Sequence, residues 1–424
     1  MSHNFELPSS FKKWTWGLIV AGLLAVLYGF IVLHPFSHPT TGHGHGDDST
    51  RFWAALLQNS IYFLLIVNAS MFFICITTLA LGGWQIAMRR VPEAISSVVP
   101  IMGVVTFVIL LAIVLGGRTD IYQWLEPSLY NKASPNFDKI LNGKHGFLNP
   151  TFFLVWSGIS ILLWAWLGGK MRNLSLKTDN EAPMTLPEAK TWMDTNFTVA
   201  SFYVVVFGLT VASTLPWFWL MSIDAHWYST MYSWYTFAST FVSGMALIAI
   251  FVIYLKNRGE LEYVTEEHLH DLGKFMFAFS VFWAYLWFDQ YMLIWYSNQP
   301  EETRYFIDRI GTAEHSGAYH GIFFFNLVVN FLAPLLLLMK KGSKRNWTMV
   351  TFVAVLLIFG HWIDFFQMIM PGTMRENAQL LPFEFGIPCL FIGLILWGVG
   401  NYFSKHALVQ KNHPFLKESM IHYT

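Results

Sequence analysis

Two acidic residues and one histidine lie where the sequence is otherwise strongly apolar. Asp289 lies in an aromatic-rich run, and His361 and Asp364 lie together in a second apolar run. A carboxylate at the centre of a membrane-spanning helix costs on the order of 3 kcal/mol. Titratable groups held in a low dielectric can be tuned to exchange protons. These three side chains therefore predict a proton-conducting or ion-coupling cluster.

The spacing of the three residues bears on whether they meet. His361 and Asp364 are three residues apart, so their side chains share one helix face and can contact one another. Asp289 and His361 lie at similar depths, roughly 21 Å from the cytoplasmic ends of their predicted helices at 1.5 Å per residue. We expect the three groups to converge in the outer half of the membrane if the two helices are neighbours. The alternative is a buried, hydrogen-bonded trio that only clamps two helices together.

The composition of the chain indicates a membrane protein. Of its 424 residues, 54% are hydrophobic and 12% are charged, whereas an ordinary globular domain is about 25% charged. The 26 lysines and arginines balance the 26 acidic residues, and no basic run is long enough for nucleic-acid binding. Both cysteines lie in apolar stretches, which argues against a disulfide scaffold and against an iron–sulfur cluster held by this chain.

Asp289, His361 and Asp364 lie in apolar stretches that are long enough to cross a bilayer. A bilayer core of about 30 Å needs about 20 apolar residues per helix. We predict an all-α integral membrane protein, a single polytopic domain with ten transmembrane helices. Their bounds are 14–33, 53–81, 95–115, 151–167, 197–223, 235–255, 275–297, 319–339, 347–369 and 385–403. Most lysines and arginines lie in the loops on the side of the two termini, so both termini are predicted to be cytoplasmic.

Other polar residues carry weaker signals. Asn326 and Asn330 share a helix face and Asn68 lies in mid-span; interhelical hydrogen bonding, worth about 0.6 kcal/mol each, accounts for all three. The histidines of the glycine-rich segment 34–48 could bind a metal adventitiously, but a solvated loop is the preferred interpretation. Only His361 among the histidines lies deep in a span, so an integral b-type haem is not expected.

Two longer motifs resemble those of a known family. One is the short outer turn LMSIDAHWYSTMYSW at 220–234, and the other is the run FWAYLWFDQYMLIWYSNQPEET at 282–303. They are similar to the NrfD/PsrC-like membrane subunits of bacterial alternative complex III, a quinol:cytochrome c (or electron-carrier) oxidoreductase. The segment GHWID at 360–364 and the short tail are more similar to the F subunits of that complex than to the paralogous ActC-like subunits.

The resemblance implies a fold and a place in a complex. The fold would be two four-helix bundles, helices 2–5 and 6–9, with two flanking helices. The expected partners are an ActC-like paralogue and other subunits of alternative complex III, with membrane lipids around them and a terminal oxidase as a further candidate. Iron–sulfur clusters and c-type haems would belong to partner subunits, and menaquinol or ubiquinol would be the substrate. The chain would bind no cofactor itself and would lie in the bacterial cytoplasmic (inner) membrane.

The resemblance also implies roles for particular residues. In this family quinol oxidation is assigned to the ActC-like subunit, and polar residues of the second bundle are proposed to carry protons. By position, Asp289, His361 and Asp364 fall in that bundle, whereas Asp224 and His226 lie in the outer turn and could form an exit or a partner contact. The candidate proton path therefore comprises Asp224, His226, Tyr285, Asp289, His361 and Asp364.

The third predicted span, 95–115, has no charged residue and no histidine. A quinol site needs a proton acceptor beside the headgroup. We therefore predict a non-catalytic subunit of a quinol-oxidising respiratory complex that contributes a proton path and assembly. One alternative is a quinone-reactive subunit, with Asp289 or His361 as the proton acceptor. The second alternative is a free-standing secondary transporter with a substrate site at the midplane.

Overall fold

The protein is built from helices, most of them long enough to cross a bilayer. The computed structural model describes residues 5–37, 46–180, 183–312, 314–377 and 380–423. Within these ranges the fold is all-helical, and the predicted all-α class is confirmed. Nine helices in the described ranges have the length and apolar composition of membrane spans, which supports a multi-pass membrane protein. Most of the histidine-rich segment 34–48 lies outside the described residues.

Ten long helices follow one another along the chain, and each overlaps one predicted span. They are α1 Ser9–Val32, α2 Asp48–Leu79, α3 Arg90–Leu115, α4 Pro150–Asn180, α5 Leu186–Trp219, α6 Met231–Asn257, α7 Glu266–Ser297, α8 His320–Leu338, α9 Trp347–Met374 and α10 Pro382–Lys405. Nine of these are the apolar helices counted above, and α7 is the tenth. With 32 residues α7 is long enough to span, but acidic residues at its start and its Trp and Tyr content make it less apolar.

The ten helices pack as two groups of four and one pair. In the first group α3 and α5 each contact both α2 and α4, and in the second α7 and α9 each contact both α6 and α8. Contact between α2 and α6 joins the groups, and these two helices are buried along most of their length. The pair is α1 and α10, of which α10 also contacts α2 and α3. The four helices α6 to α9 therefore enclose a common interior.

Two of the long helices contain one turn of π-helix, at Thr210–Thr214 in α5 and at Val328–Leu332 in α8. Such turns are frequent at functional sites. The turn in α8 carries Asn330, whose side chain occupies the space that a Cβ at Gly360 of α9 would need. A glycine at position 360 therefore lets α9 approach α8 closely at this depth.

Candidate functional site

A buried polar cluster lies between α6, α7, α8 and α9, with Asp364 at its centre. Asp364 is fully buried and accepts a hydrogen bond from the Tyr235 hydroxyl of α6. It also accepts from Trp283 Nε1 of α7 at 2.9 Å and from Asn326 Nδ2 of α8 at 2.7 Å. An ionised carboxylate only accepts hydrogen bonds, so three neutral donors from three helices suit a carboxylate at this position.

His361 lies one turn before Asp364 on α9 and is also fully buried. Its Nδ1 is 3.0 Å from the Ser239 hydroxyl and 3.7 Å from Asp364 Oδ2. Its Nε2 has no hydrogen-bond partner among the described residues. The predicted pairing of imidazole and carboxylate on one helix face is therefore present, although 3.7 Å exceeds a direct hydrogen bond. An imidazole beside a carboxylate can accept, hold and return a proton.

Asp289 does not join this cluster, so the prediction that the three groups converge is wrong for this residue. Its side chain is half-buried and, within the described ranges, is hydrogen-bonded neither to His361 nor to Asp364. The reason is helix geometry, because successive residues point about 100° apart. Trp283 and Gln290 form the buried face of α7, and Asp289 points to one side of it.

Tyr285, the other candidate on α7, points away from the interior. Its side chain is 59% exposed, and its ring stacks on that of Phe282 on the same helix. The exposed Phe288 and Met292 lie on this outward side as well. Tyr285 therefore lies on the exposed, aromatic side of α7, and the structure does not bring it together with His361 and Asp364.

Two asparagines that the sequence assigned to interhelical hydrogen bonding extend the cluster. Asn330 Nδ2 donates to Asn326 Oδ1 at 2.6 Å, and Asn326 in turn donates to Asp364. Their shared helix face was visible in the sequence as a spacing of four residues. No sequence pattern indicated that the partner on the neighbouring helix is a carboxylate.

Polar groups continue from Asp364 toward the end of the bundle where α6 begins and α7 and α9 end, the predicted outer side. A cavity of about 20 Å³ lies there, which is room for one water molecule. Its polar lining comes from four helices and the segment after α7. The polar residues that line it are Tyr235, Gln290, Tyr305, Arg309, Asn326 and Gln367. Tyr235 and Asn326 both donate hydrogen bonds to Asp364. The cavity therefore borders two of the hydrogen-bond donors of this carboxylate.

Arg309 is a buried cation on the outer wall of this cavity. It is 1% exposed and donates to the backbone carbonyls of Gln367, at 3.0 Å, and Tyr305, at 2.7 Å. Its guanidinium lies over the Tyr305 ring at 3.4 Å from the centroid. Within the described ranges no carboxylate forms an ion pair with it. A positive charge therefore lies in the wall of the cavity that borders the Asp364 cluster.

A larger cavity of about 210 Å³ lies on the far side of Tyr305. Its walls include Asp224, His226 and Tyr305, and Tyr305 also lines the smaller cavity. At its rim Arg304 Nε is 2.9 Å from Asp308 Oδ1. The structure thus brings the two outer-turn candidates into one polar pocket and separates that pocket from the cavity beside Asp364 by the ring of Tyr305.

His226 ties this outer turn to the loop between α3 and α4. Its Nε2 is 2.5 Å from Asp138 Oδ2. Partial burial raises the pKa of Asp138, but hydrogen bonds from the Leu141 amide, the His226 ring and the Ile140 amide outweigh it and lower the pKa below its ordinary value. The contact therefore favours the ionised form of Asp138.

This contact should weaken in acid. A carboxylate with a lowered pKa in the folded state stabilises the fold above its unfolded pKa, and that stability is lost as the pH falls through the folded pKa. We expect the contact between His226 and Asp138 to be fully formed at neutral pH. It should weaken below about pH 4, as Asp138 becomes protonated. Because both side chains are partly exposed, the effect should stay below about 1 kcal/mol.

Hydrogen exchange of the amides of residues 139–141, corrected for intrinsic rates, measures this effect at pH 6 and pH 3. Protection should fall at pH 3 in the wild type. Asp138→Ala, which removes the oxygen that accepts from the Ile140 and Leu141 amides, should already show low protection at pH 6 and little further change. A variant with the same pH response as the wild type would contradict the assignment.

A buried carboxylate, a neighbouring imidazole and a water-sized cavity therefore lie together between α6, α7, α8 and α9. In the part of the chain that the structure describes, no group of three or more His, Cys, Asp and Glu side chains is placed to hold a metal ion. No family model matches the sequence, and no curated protein matches it.

Proposed function

We propose that the protein is an integral membrane subunit of a quinol-oxidising respiratory complex of the alternative complex III type, related to its F subunit, ActF. In this proposal it contributes a proton path and complex assembly in the bacterial inner membrane, and a partner subunit oxidises quinol. The motif resemblance supports the family. The observation that carries the proton role is Asp364, a fully buried acid with three neutral donors and a neighbouring histidine.

The proposal includes ten spans in two four-helix bundles, with both termini in the cytoplasm. The helix contacts given above support the two bundles. For α7, its length of 32 residues and its contacts with α6, α8 and α9 support a tenth span. Its acidic first turn lies at the predicted cytoplasmic end, where Glu267 pairs with Arg345 at 2.6 Å. The charge that makes α7 less apolar would therefore lie outside the bilayer core.

The size of the cavity beside Asp364 favours a proton over a quinone or a solute. Small-molecule sites usually enclose about 300–1,000 Å³. The cavity that borders the Asp364 cluster has a volume of about 20 Å³, which fits one water molecule and excludes a quinone ring. The small volume therefore supports a proton path over a quinone-reactive role for His361 or a transporter site at this depth.

The subunit assignment is tested by purification from native membranes in a mild detergent. We expect the chain to co-elute with subunits that contain c-type haem and iron–sulfur clusters, in an assembly that oxidises menaquinol or ubiquinol. Haem spectra, iron content and mass spectrometry of the co-eluting chains measure this. Elution as a lone polypeptide that takes up a solute in liposomes would contradict the proposal and favour the transporter.

A further inference from the structure

A cavity larger than the two described above lies away from the polar cluster. It is a groove of about 540 Å³ whose walls come from α1, α2, α6, α9 and α10. Val355, Phe359 and Ile392 line it and are substantially exposed, so the groove opens sideways toward the surrounding membrane. Its lining on α10 runs from Phe385 to Leu396, which is roughly 16 Å at 1.5 Å per residue. The groove is therefore long enough to hold much of an acyl chain.

The walls of this groove are almost entirely apolar. The indole N–H of Trp362 already donates to Asn59 at 2.9 Å. The Tyr254 hydroxyl is buried and has no hydrogen-bond partner within the described ranges. Buried polar groups usually have a partner, but this hydroxyl is not exposed in the groove, so the surface that an occupant would contact is apolar.

One cation lies close to the end of the groove where Tyr254 lies, and two more follow a groove-lining residue in the sequence. The Arg258 guanidinium is 5.7 Å from the centroid of the Tyr254 ring, and the Phe11 ring is 5.8 Å from it. Lys12 and Lys13 follow Phe11 in α1, and both are exposed, as is Arg258. This end corresponds to the predicted cytoplasmic side, where anionic lipids attract Lys and Arg.

We propose that the groove is a binding site for one anionic phospholipid. Its acyl chain lies along the apolar walls, and its phosphate lies near Tyr254, Arg258 and Lys12. A quinone is the less favoured occupant, because the walls offer no proton acceptor for quinol chemistry. The lipid would fill the space between α1 and the rest of the protein, since in the described chain α1 packs mainly on α10.

Native mass spectrometry of the purified complex after a delipidating wash tests occupancy. We expect one phospholipid per copy of this chain to remain in the wild type. Ile392→Trp fills the groove and should reduce retention at least tenfold. Val104→Trp is the matched control, since Val104 is 64% exposed on α3 and does not line the groove. Equal retention in Ile392→Trp, or a bound quinone in place of the lipid, would overturn the proposal.

The headgroup preference is tested separately by adding defined lipids to the delipidated complex. The wild type should bind phosphatidylglycerol about fivefold more tightly than phosphatidylcholine. The triple variant Lys12→Gln, Lys13→Gln and Arg258→Gln should lose this preference, while Lys190→Gln, an exposed cation on the same predicted side, should keep it. A wild type that does not distinguish the two lipids would reject the anionic headgroup.

A thiol probe keeps the proposal testable if the tryptophan variant does not fold. Cys389 lines the groove and is partly exposed, whereas Cys75 is buried. An apolar maleimide should therefore modify Cys389 in the wild-type complex, and added phosphatidylglycerol should slow the reaction severalfold. Cys389→Ser should abolish the labelling. A labelling rate that the lipid leaves unchanged would place the lipid elsewhere.

Discussion

Asp364→Asn should lower proton translocation at least about tenfold while quinol oxidation by the assembled complex stays within about twofold. The amide cannot gain and lose a proton as the carboxyl does. Its oxygen can still accept from Tyr235 and Asn326, as Asp364 Oδ1 does now. The variant therefore removes the titratable group while keeping two of its three hydrogen bonds.

The third hydrogen bond is the reason for a second variant. In Asp364→Asn the amide N–H₂ faces the indole N–H of Trp283, which now donates to Oδ2 at 2.9 Å. An unsatisfied buried donor costs about 1–3 kcal/mol. Adding Trp283→Phe removes this conflict. If Asp364 is only a helix clamp, the double variant should restore function; if the carboxyl carries protons, it should restore stability alone.

Asp289→Asn is the matched control for the same measurement. It makes the same chemical change at a similar predicted depth, but at a half-buried position outside the cluster. We expect less than a twofold change in proton translocation. Liposomes that contain the purified complex and a pH-sensitive dye, with quinol oxidation followed in parallel, give both rates. Normal pumping by Asp364→Asn, or equal losses in both variants, would reject the central role of Asp364.

The contrast between these two acids shows how far the sequence could predict the site. Hydropathy located all ten long helices, because about 20 consecutive apolar residues are hard to place anywhere but in a bilayer. The spacing of three residues paired His361 with Asp364, since that relation lies within one helix. Depth alone placed Asp289 beside them, and depth does not fix the direction in which a side chain points.

The partners of Asp364 could not be predicted for a different reason. Tyr235, Trp283 and Asn326 come from three other helices, separated in the chain by 129, 81 and 38 residues from the acid they contact. No local sequence pattern indicates which faces of separate helices pack against one another. Arg309 was missed for the same reason, since it lies in the short helix Pro300–Ile310 after α7 and reaches the bundle only in the folded protein.

A second buried acid lies in the first bundle, just before the predicted start of the third span. Glu93 of α3 is 1% exposed. Its carboxylate accepts from Arg89 Nε at 3.0 Å, from Arg90 Nη1 at 2.9 Å and from the Tyr402 hydroxyl at 3.3 Å. The spacing of three and four residues from the arginines indicates such pairs on a helix. The first bundle therefore has an acid, but one held by two cations.

Glu93→Gln should destabilise the protein by about 3–5 kcal/mol, because it leaves buried arginine charge without its carboxylate. Arg90 keeps a contact with Asp179 at 2.5 Å, whereas Glu93 is the carboxylate paired with Arg89 in the described structure. Thermal unfolding of the purified complex measures the loss. Glu260→Gln, at an exposed position, is the control and should change stability little.

The double variant Arg89→Gln with Glu93→Gln separates an ion pair from a quinol site. Most of the cost of Glu93→Gln comes from an uncompensated buried charge, and the double variant removes the charge of Arg89 as well while Arg90 keeps Asp179, so the second change should recover part of the lost stability. Quinol oxidation per assembled complex should remain near the wild-type rate in the double variant. If Glu93 instead accepted protons from quinol, quinol oxidation would be lost in Glu93→Gln and in the double variant. Stability would still fall in Glu93→Gln and recover in part in the double variant. That outcome would move the quinol site into this subunit and reverse the proposed division of roles.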